Sequence, residues 1–249
     1  MKAFASLMAR LFMALAGGKG FGSGAGPRLR LPGATALMMV GALALLPSLA
    51  AAQTITAVAQ PPREIEFNLT PNARFVNCLA QYPGDTRRPP KAKVEVKRGR
   101  LNDELELKLQ NIKPGLAFDL FTVQRSSLLA NGTPDPNFTN FGMAWYQSDV
   151  EANSSGSAHV EINTILLDQI FGFDPDVNLA PTNTFHVGFW FNNPQDAAAC
   201  GFDVTHPTPF NGEHRAGPLA MISLPDATTN LGPLCSNPDR SVTPARCHP

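Results

Sequence analysis

Residues 101–124 read LNDELELKLQNIKPGLAFDLFTVQ, and their pattern decides the fold class. Leu105, Leu107 and Leu109 alternate with Glu104, Glu106, Lys108 and Gln110. A period of two places the leucines on one face of a strand and the polar residues on the other. Lys113-Pro114-Gly115-Leu116 has the form of a type II turn. Proline presets φ at its second position and glycine accepts positive φ at its third. Residues 117–123 are apolar on both faces, as a central strand requires: Phe118 and Leu120 share one, Phe121 and Val123 the other. The reading is a β-hairpin with one wet face and one core face, which a second layer must cover. On this reading Leu107 is core and Glu106 is solvated.

The flanking sequence supplies that second layer in short pieces. Residues 64–69 and 93–97 alternate apolar and charged residues, and 158–162 alternates in the same way. Residues 73–80, 141–147, 185–191 and 219–224 are further strand candidates, 185–191 being the most aromatic. Proline and glycine mark loops at 82–91 and 172–182. Residues 164–171 approach helical spacing, and 196–199 suits a short helical turn. Many short strands with little helix give an all-β, two-sheet antiparallel sandwich of immunoglobulin-like or jelly-roll-like type. The expected organisation is a signal peptide over 1–52, a flexible arm over 53–62, a sandwich domain over 63–224 and a disulfide-pinned tail over 225–249.

The leader reading rests on charge. Residues 1–52 hold Lys2, Arg10, Lys19, Arg28 and Arg30 and no acid, then an apolar run over 34–46 and Ala50-Ala51-Ala52. That is the layout of a secretory signal peptide. The whole chain has 20 basic and 20 acidic residues, so the part beyond the leader carries −5. A mildly acidic chain argues against nucleic acid and anionic membranes as partners. Cys78, Cys200, Cys235 and Cys247 are all the cysteines, and an even number in an exported chain favours disulfides. Cys235 and Cys247 share a proline-rich tail, while Cys78 and Cys200 each lie near a strand end. The expected pairing is Cys78 with Cys200 and Cys235 with Cys247; the competing one joins Cys200 to Cys235 and Cys78 to Cys247.

Few residues advertise chemistry. His159 and His186 lie on polar sides of strands, where two facing strands would bring them together; solvated or hydrogen-bonded strand histidines are the plainer reading. Asp174, Asp176 and Asn178 open like an EF-hand loop, but Leu179 and Phe185 stand where glycine and glutamate are needed. Glu213 and His214 are adjacent in a loop and suit acid–base work only if they converge. Trp145, Tyr146 and Trp190 are candidates for a binding face. No metal, cofactor or catalytic residue is assigned, and no nucleophile elbow occurs.

The stretches 140–149 (NFGMAWYQSD), 164–175 (TILLDQIFGFDP) and 182–192 resemble uncharacterised exported proteins of bacteria, actinobacteria in particular. The strand–turn–strand rhythm of the opening segment also resembles CHRD-type and copper/zinc superoxide dismutase-like sandwiches, without the dismutase ligand pattern. Either resemblance implies architecture only. The expected function is a secreted structural or binding module for an extracellular protein or small ligand, with no stable membrane anchor. The alternative is a secreted hydrolase or metal-dependent enzyme built on Glu213, His214 and His186. N-terminal sequencing of protein recovered from the medium should begin at Gln53; retention of residues 1–52 would refute the leader.

Overall fold

Backbone pairing follows the period-two runs, but it connects them differently from a hairpin. The computed structural model describes residues 64–99, 102–165 and 182–248. The leader and arm lie outside these residues, as do the Asp174–Asn178 loop and most of the 164–171 segment. The order is β1 (Glu64–Pro71), α1 (Val76–Leu79), β2 (Lys91–Lys97), β3 (Asn102–Gln110), β4 (Ala117–Val123), β5 (Ala144–Glu151), β6 (Ala158–Ile165) and β7 (His186–Phe191). A 3-10 turn at Pro194–Cys200, β8 (Leu219–Ser223), β9 (Pro238–Asp239) and β10 (Arg246–Cys247) complete it.

The fold is all-β, as the alternation requires. Eight strands form one antiparallel sheet in the order β5-β4-β7-β8-β1-β2-β3-β6, and β9 and β10 form a separate two-stranded ribbon. The expected pair of stacked sheets is replaced by one curled sheet, because β8 pairs with β7 on one side and β1 on the other. The two ends of the order approach each other: Thr164 Oγ1 on β6 donates to Gln147 Oε1 on β5 at 2.8 Å. The sheet is therefore a barrel one seam short of closure.

β3 and β4 are not hairpin partners. β3 pairs with β2 and β6, and β4 with β5 and β7. The turn between them does form, with Gly115 at φ +77° and Leu116 N donating to Lys113 O. It arches across one end of the barrel instead of folding β4 back on β3. Its backbone is held from both sides: Ile112 N donates to Gly156 O, Lys113 N to Leu79 O and Gly115 N to Ala152 O. The arch sets the β3 leucines opposite the β4 aromatics. Leu105, Leu107, Leu109, Phe118, Leu120, Phe189 and Phe191 are buried together in one core.

The outer surface divides into two halves. On β1, β2, β3 and β6 it is charged, and Glu66, Glu95, Glu106 and Glu161 fall in one cross-strand row. Like charges directly opposite each other are unfavourable, and lysines from the neighbouring row offset them. Lys93 Nζ is 2.7 Å from Glu66, and Lys108 Nζ is 2.6 Å from Glu106. Glu106 is consequently covered, not solvated: Lys108 and His159 both bond it. The Lys108 hydrogen bond leads the causes that hold its carboxyl below the usual range. On β4, β7 and β8 the outer face is apolar apart from Asp119 and His186, and those strands are buried throughout except at Ala117.

Residues 73–80 form the helical turn α1, not a strand. Phe75, Cys78 and Leu79 are all buried, and their i, i+3, i+4 spacing is helical. Cys78 is bonded to Cys200, which ties α1 to the end of the 3-10 turn, and Cys235 is bonded to Cys247. The tail is held by more than its bridge. Leu234 enters the main core, its N–H donates to Phe185 O, and Gly232 N donates to Thr184 Oγ1.

Leu107 is fully buried, so Leu107→Ala should cost about 2–5 kcal/mol in denaturant melts. Glu106→Ala should cost clearly less, because the half-exposed Lys108 and His159 that it leaves regain water; a cost for Glu106→Ala equal to that for Leu107→Ala would show the facing to be wrong.

Candidate functional site

The second aromatic layer begins at Trp190. β7 directs Val187, Phe189 and Phe191 into the main core and Trp190 to the opposite face, where it is almost fully buried. Phe210 stacks on it, with ring centroids 4.1 Å apart and planes within 3°. Phe121 and Phe141 meet the indole edge-on at 5.6 and 5.0 Å. Aromatic contacts of this kind stabilise beyond their buried area. Phe210 belongs to the segment after the 3-10 turn, so the stack draws residues 192–217 back over the outside of β4 and β7.

That segment has a folded shape of its own. Thr208 and Ala216 exchange backbone hydrogen bonds. Asn211 organises the tip: its Oδ1 accepts from Glu213 N and Arg215 N, and its Nδ2 donates to Asn192 O. Between this loop and the β4–β5 ladder lies an open groove of about 1130 Å³. Asp119, Phe121, Tyr146 and Asp149 line its sheet side; Asn192, Gln195, Glu213 and Arg215 are among those lining the loop side.

Asp119 is the unusual group. It is the one charged residue in the apolar run of β4, and it is 2% exposed. Sheet register sets it directly between Trp190 of β7 and Asp149 of β5. Asn192 Nδ2 donates to its Oδ1 at 3.0 Å, while Oδ2 is buried with no hydrogen-bond partner. Burial, with the facing Asp149 carboxylate adding to it, holds the Asp119 carboxyl above its ordinary range. Tyr146 stands beside the pair with half its surface exposed and its ring edge-on to Phe121. Desolvation at the groove wall and a hydrogen bond to Asp149 push its phenol up to about 12, so the hydroxyl keeps its proton.

The residues singled out in the sequence are dispersed. His186 is buried on β7, with Nδ1 3.1 Å from both Ser223 O and Ser223 Oγ. Burial pushes its pKa down to about 4, so it is a neutral core histidine of the hydrogen-bonded rather than the solvated kind. His159 sits outside β6, 2.6 Å from Glu106. The two lie on different halves of the sheet and do not meet. Donor atoms of Glu106, His159 and Glu161 do cluster within 4.8 Å, but the Lys108 ammonium already supplies the positive charge there. Glu213 lines the groove and His214 does not, so the adjacent pair does not converge on one space. Trp145 and Tyr146 are exposed on β5, and only Tyr146 borders the groove. The sequence reading passed over Asp119 and Asp149. The available signal was a lone carboxylate inside an otherwise apolar strand, which needs a partner wherever it is buried.

No protein-family model matches the chain, and no curated protein sequence matches it.

Asp119 has a stability consequence of definite sign. Its folded-state value lies above the ordinary 3.8, so its ionisation weakens the fold as pH rises through that raised value. Below 3.8 both states are protonated and the penalty is absent. Asp119→Asn, whose Oδ1 still accepts from Asn192, should therefore be more stable than the native chain at neutral pH. The gain should vanish at about pH 3. Thermal melts at both pH values check this, and a variant less stable at neutral pH would contradict it.

Proposed function

We propose that the protein is an exported bacterial binding module that takes a small polar ligand in the groove between β4–β5 and the 192–217 loop. The observation that carries this reading is Asp119: a buried carboxyl with an unbonded oxygen, on the wall of a groove large enough for a small molecule. A fold does not keep such a group for stability, since an unpaired buried carboxyl costs free energy. Groups held at that cost concentrate where a ligand completes the bonding.

Export is supported by the leader-like composition of residues 1–52 and by two disulfides, which persist in oxidising compartments. No helix among the described residues is long and apolar enough to cross a membrane. The bacterial part of the reading rests on the resemblance of residues 140–149, 164–175 and 182–192 to exported actinobacterial proteins.

A second reading is a hydrolase. Its acid–base pair would be Asp119 and Asp149 in place of Glu213 and His214, because a carboxyl with a raised pKa opposite a second carboxylate is the arrangement acid–base chemistry uses. The binding reading needs no reacting group beyond those present and is preferred. Amide-detected NMR with a library of small polar fragments tests it. The expected result is shifts confined to Asp119, Tyr146, Asp149, Asn192 and the 211–215 tip. Shifts scattered elsewhere, or none with any fragment, would refute a ligand groove; chemical conversion of a bound fragment would favour the hydrolase.

A further inference from the structure

The groove's own chemistry narrows what it takes. Three observations on the sheet side converge. Asp119 and Asp149 are directly opposite across the β4–β5 ladder, where like charges oppose each other unless something positive lies between them. Asp119 Oδ2 is an acceptor without a donor. The wall beside them is aromatic, with Tyr146 edge-on to Phe121 and half exposed. An aromatic face attracts cations through its quadrupole and receives an alkyl stem equally well.

The loop side does not neutralise this. It adds Glu213, and among the described residues Arg215 is the one cationic residue lining the groove, against three carboxyls. No salt-bridge contact joins Arg215 to any of them among the described residues.

We propose that the groove is a site for an organic cation, specifically a primary ammonium group on a short alkyl stem, anchored by Asp119 and Asp149 with its stem against Tyr146 and Phe121. The inference rests on the groove being a ligand site. An ammonium supplies the missing charge and several N–H donors at once: it bonds the exposed Asp149 carboxylate and offsets the charge of Asp119 beside it, whose Oδ2 is buried. A neutral hydroxyl supplies a donor but leaves the two carboxylates opposed. A divalent cation supplies charge but leaves the aromatic wall unused.

The test is titration calorimetry of the full chain at neutral pH and low salt with three probes: cadaverine, 1,5-pentanediol and calcium chloride. Cadaverine should bind one saturable site and weaken with added salt. The diol should show no saturable heat. Asp119→Asn and Asp149→Asn should each weaken cadaverine binding about tenfold or more. Asp149 is exposed, so that variant leaves the core untouched and reads the anchor independently of Asp119→Asn. Equal affinity for the diol would overturn the proposal in favour of a hydroxyl-bearing ligand. Saturable calcium binding that excludes cadaverine would overturn it in favour of a metal site. Absence of cadaverine binding, or binding unaffected by Asp149→Asn, would also overturn it. If neutral fragments still shift the groove amides, only the ammonium assignment has failed; if no probe of any kind does, the ligand groove has failed with it.

Discussion

The stack of Phe210 on Trp190 is the contact on which the site depends. A curled sheet alone would leave β4 and β7 with an apolar outer face in water. The rings at 4.1 Å bring the 192–217 loop down onto that face. Three effects follow from one contact. The outer apolar layer is buried, Asp119 is removed from solvent beneath the loop, and the space between loop and ladder becomes a groove. The Cys78–Cys200 bridge supports this from the far side, since it fixes the 3-10 turn in the first part of the loop to α1.

The barrel pairs two kinds of strand. On β1, β2, β3 and β6 the outer face is charged and the glutamate row survives because neighbouring lysines and His159 sit diagonally across it. On β4, β7 and β8 both faces are covered, so any polar group there must be satisfied from within the protein. Ser223 does this for His186 and Asn192 does half of it for Asp119. The half left undone is what makes Asp119 a candidate anchor. A charged group on the other half has water and lysine for partners and carries no comparable signal.

Much of this was legible in the chain. Alternation at Leu105, Leu107 and Leu109 gave the facing of β3, and the apolar run over Ala117–Val123 gave a strand covered on both sides. The cysteine pairing followed from loop lengths and strand ends. The connection between β3 and β4 did not: Lys113–Leu116 forms the same local turn in a hairpin and in an arch, and only the partners of each strand distinguish them. Residues 73–80 were misread because Phe75 and Val76 suit a strand, while the Phe75, Cys78 and Leu79 spacing that wins is short. For His186 the sequence left solvated and hydrogen-bonded placements open, because alternation assumes one wet face and β7 has none. The Asp119–Asp149 pairing is a matter of register between strands that are distant in sequence, which periodicity does not reach.

The most direct test of the account is a carbon-13 NMR titration of the Asp119 side-chain carboxyl in the free protein and in Asp149→Asn. The account predicts a midpoint above the ordinary 3.8 in the native chain, since burial and the opposed carboxylate both disfavour the charge. It predicts a lower midpoint in Asp149→Asn, still above 3.8 because the loop continues to cover Asp119. A native midpoint at or below 3.8, or one that does not respond to Asp149→Asn, would contradict it.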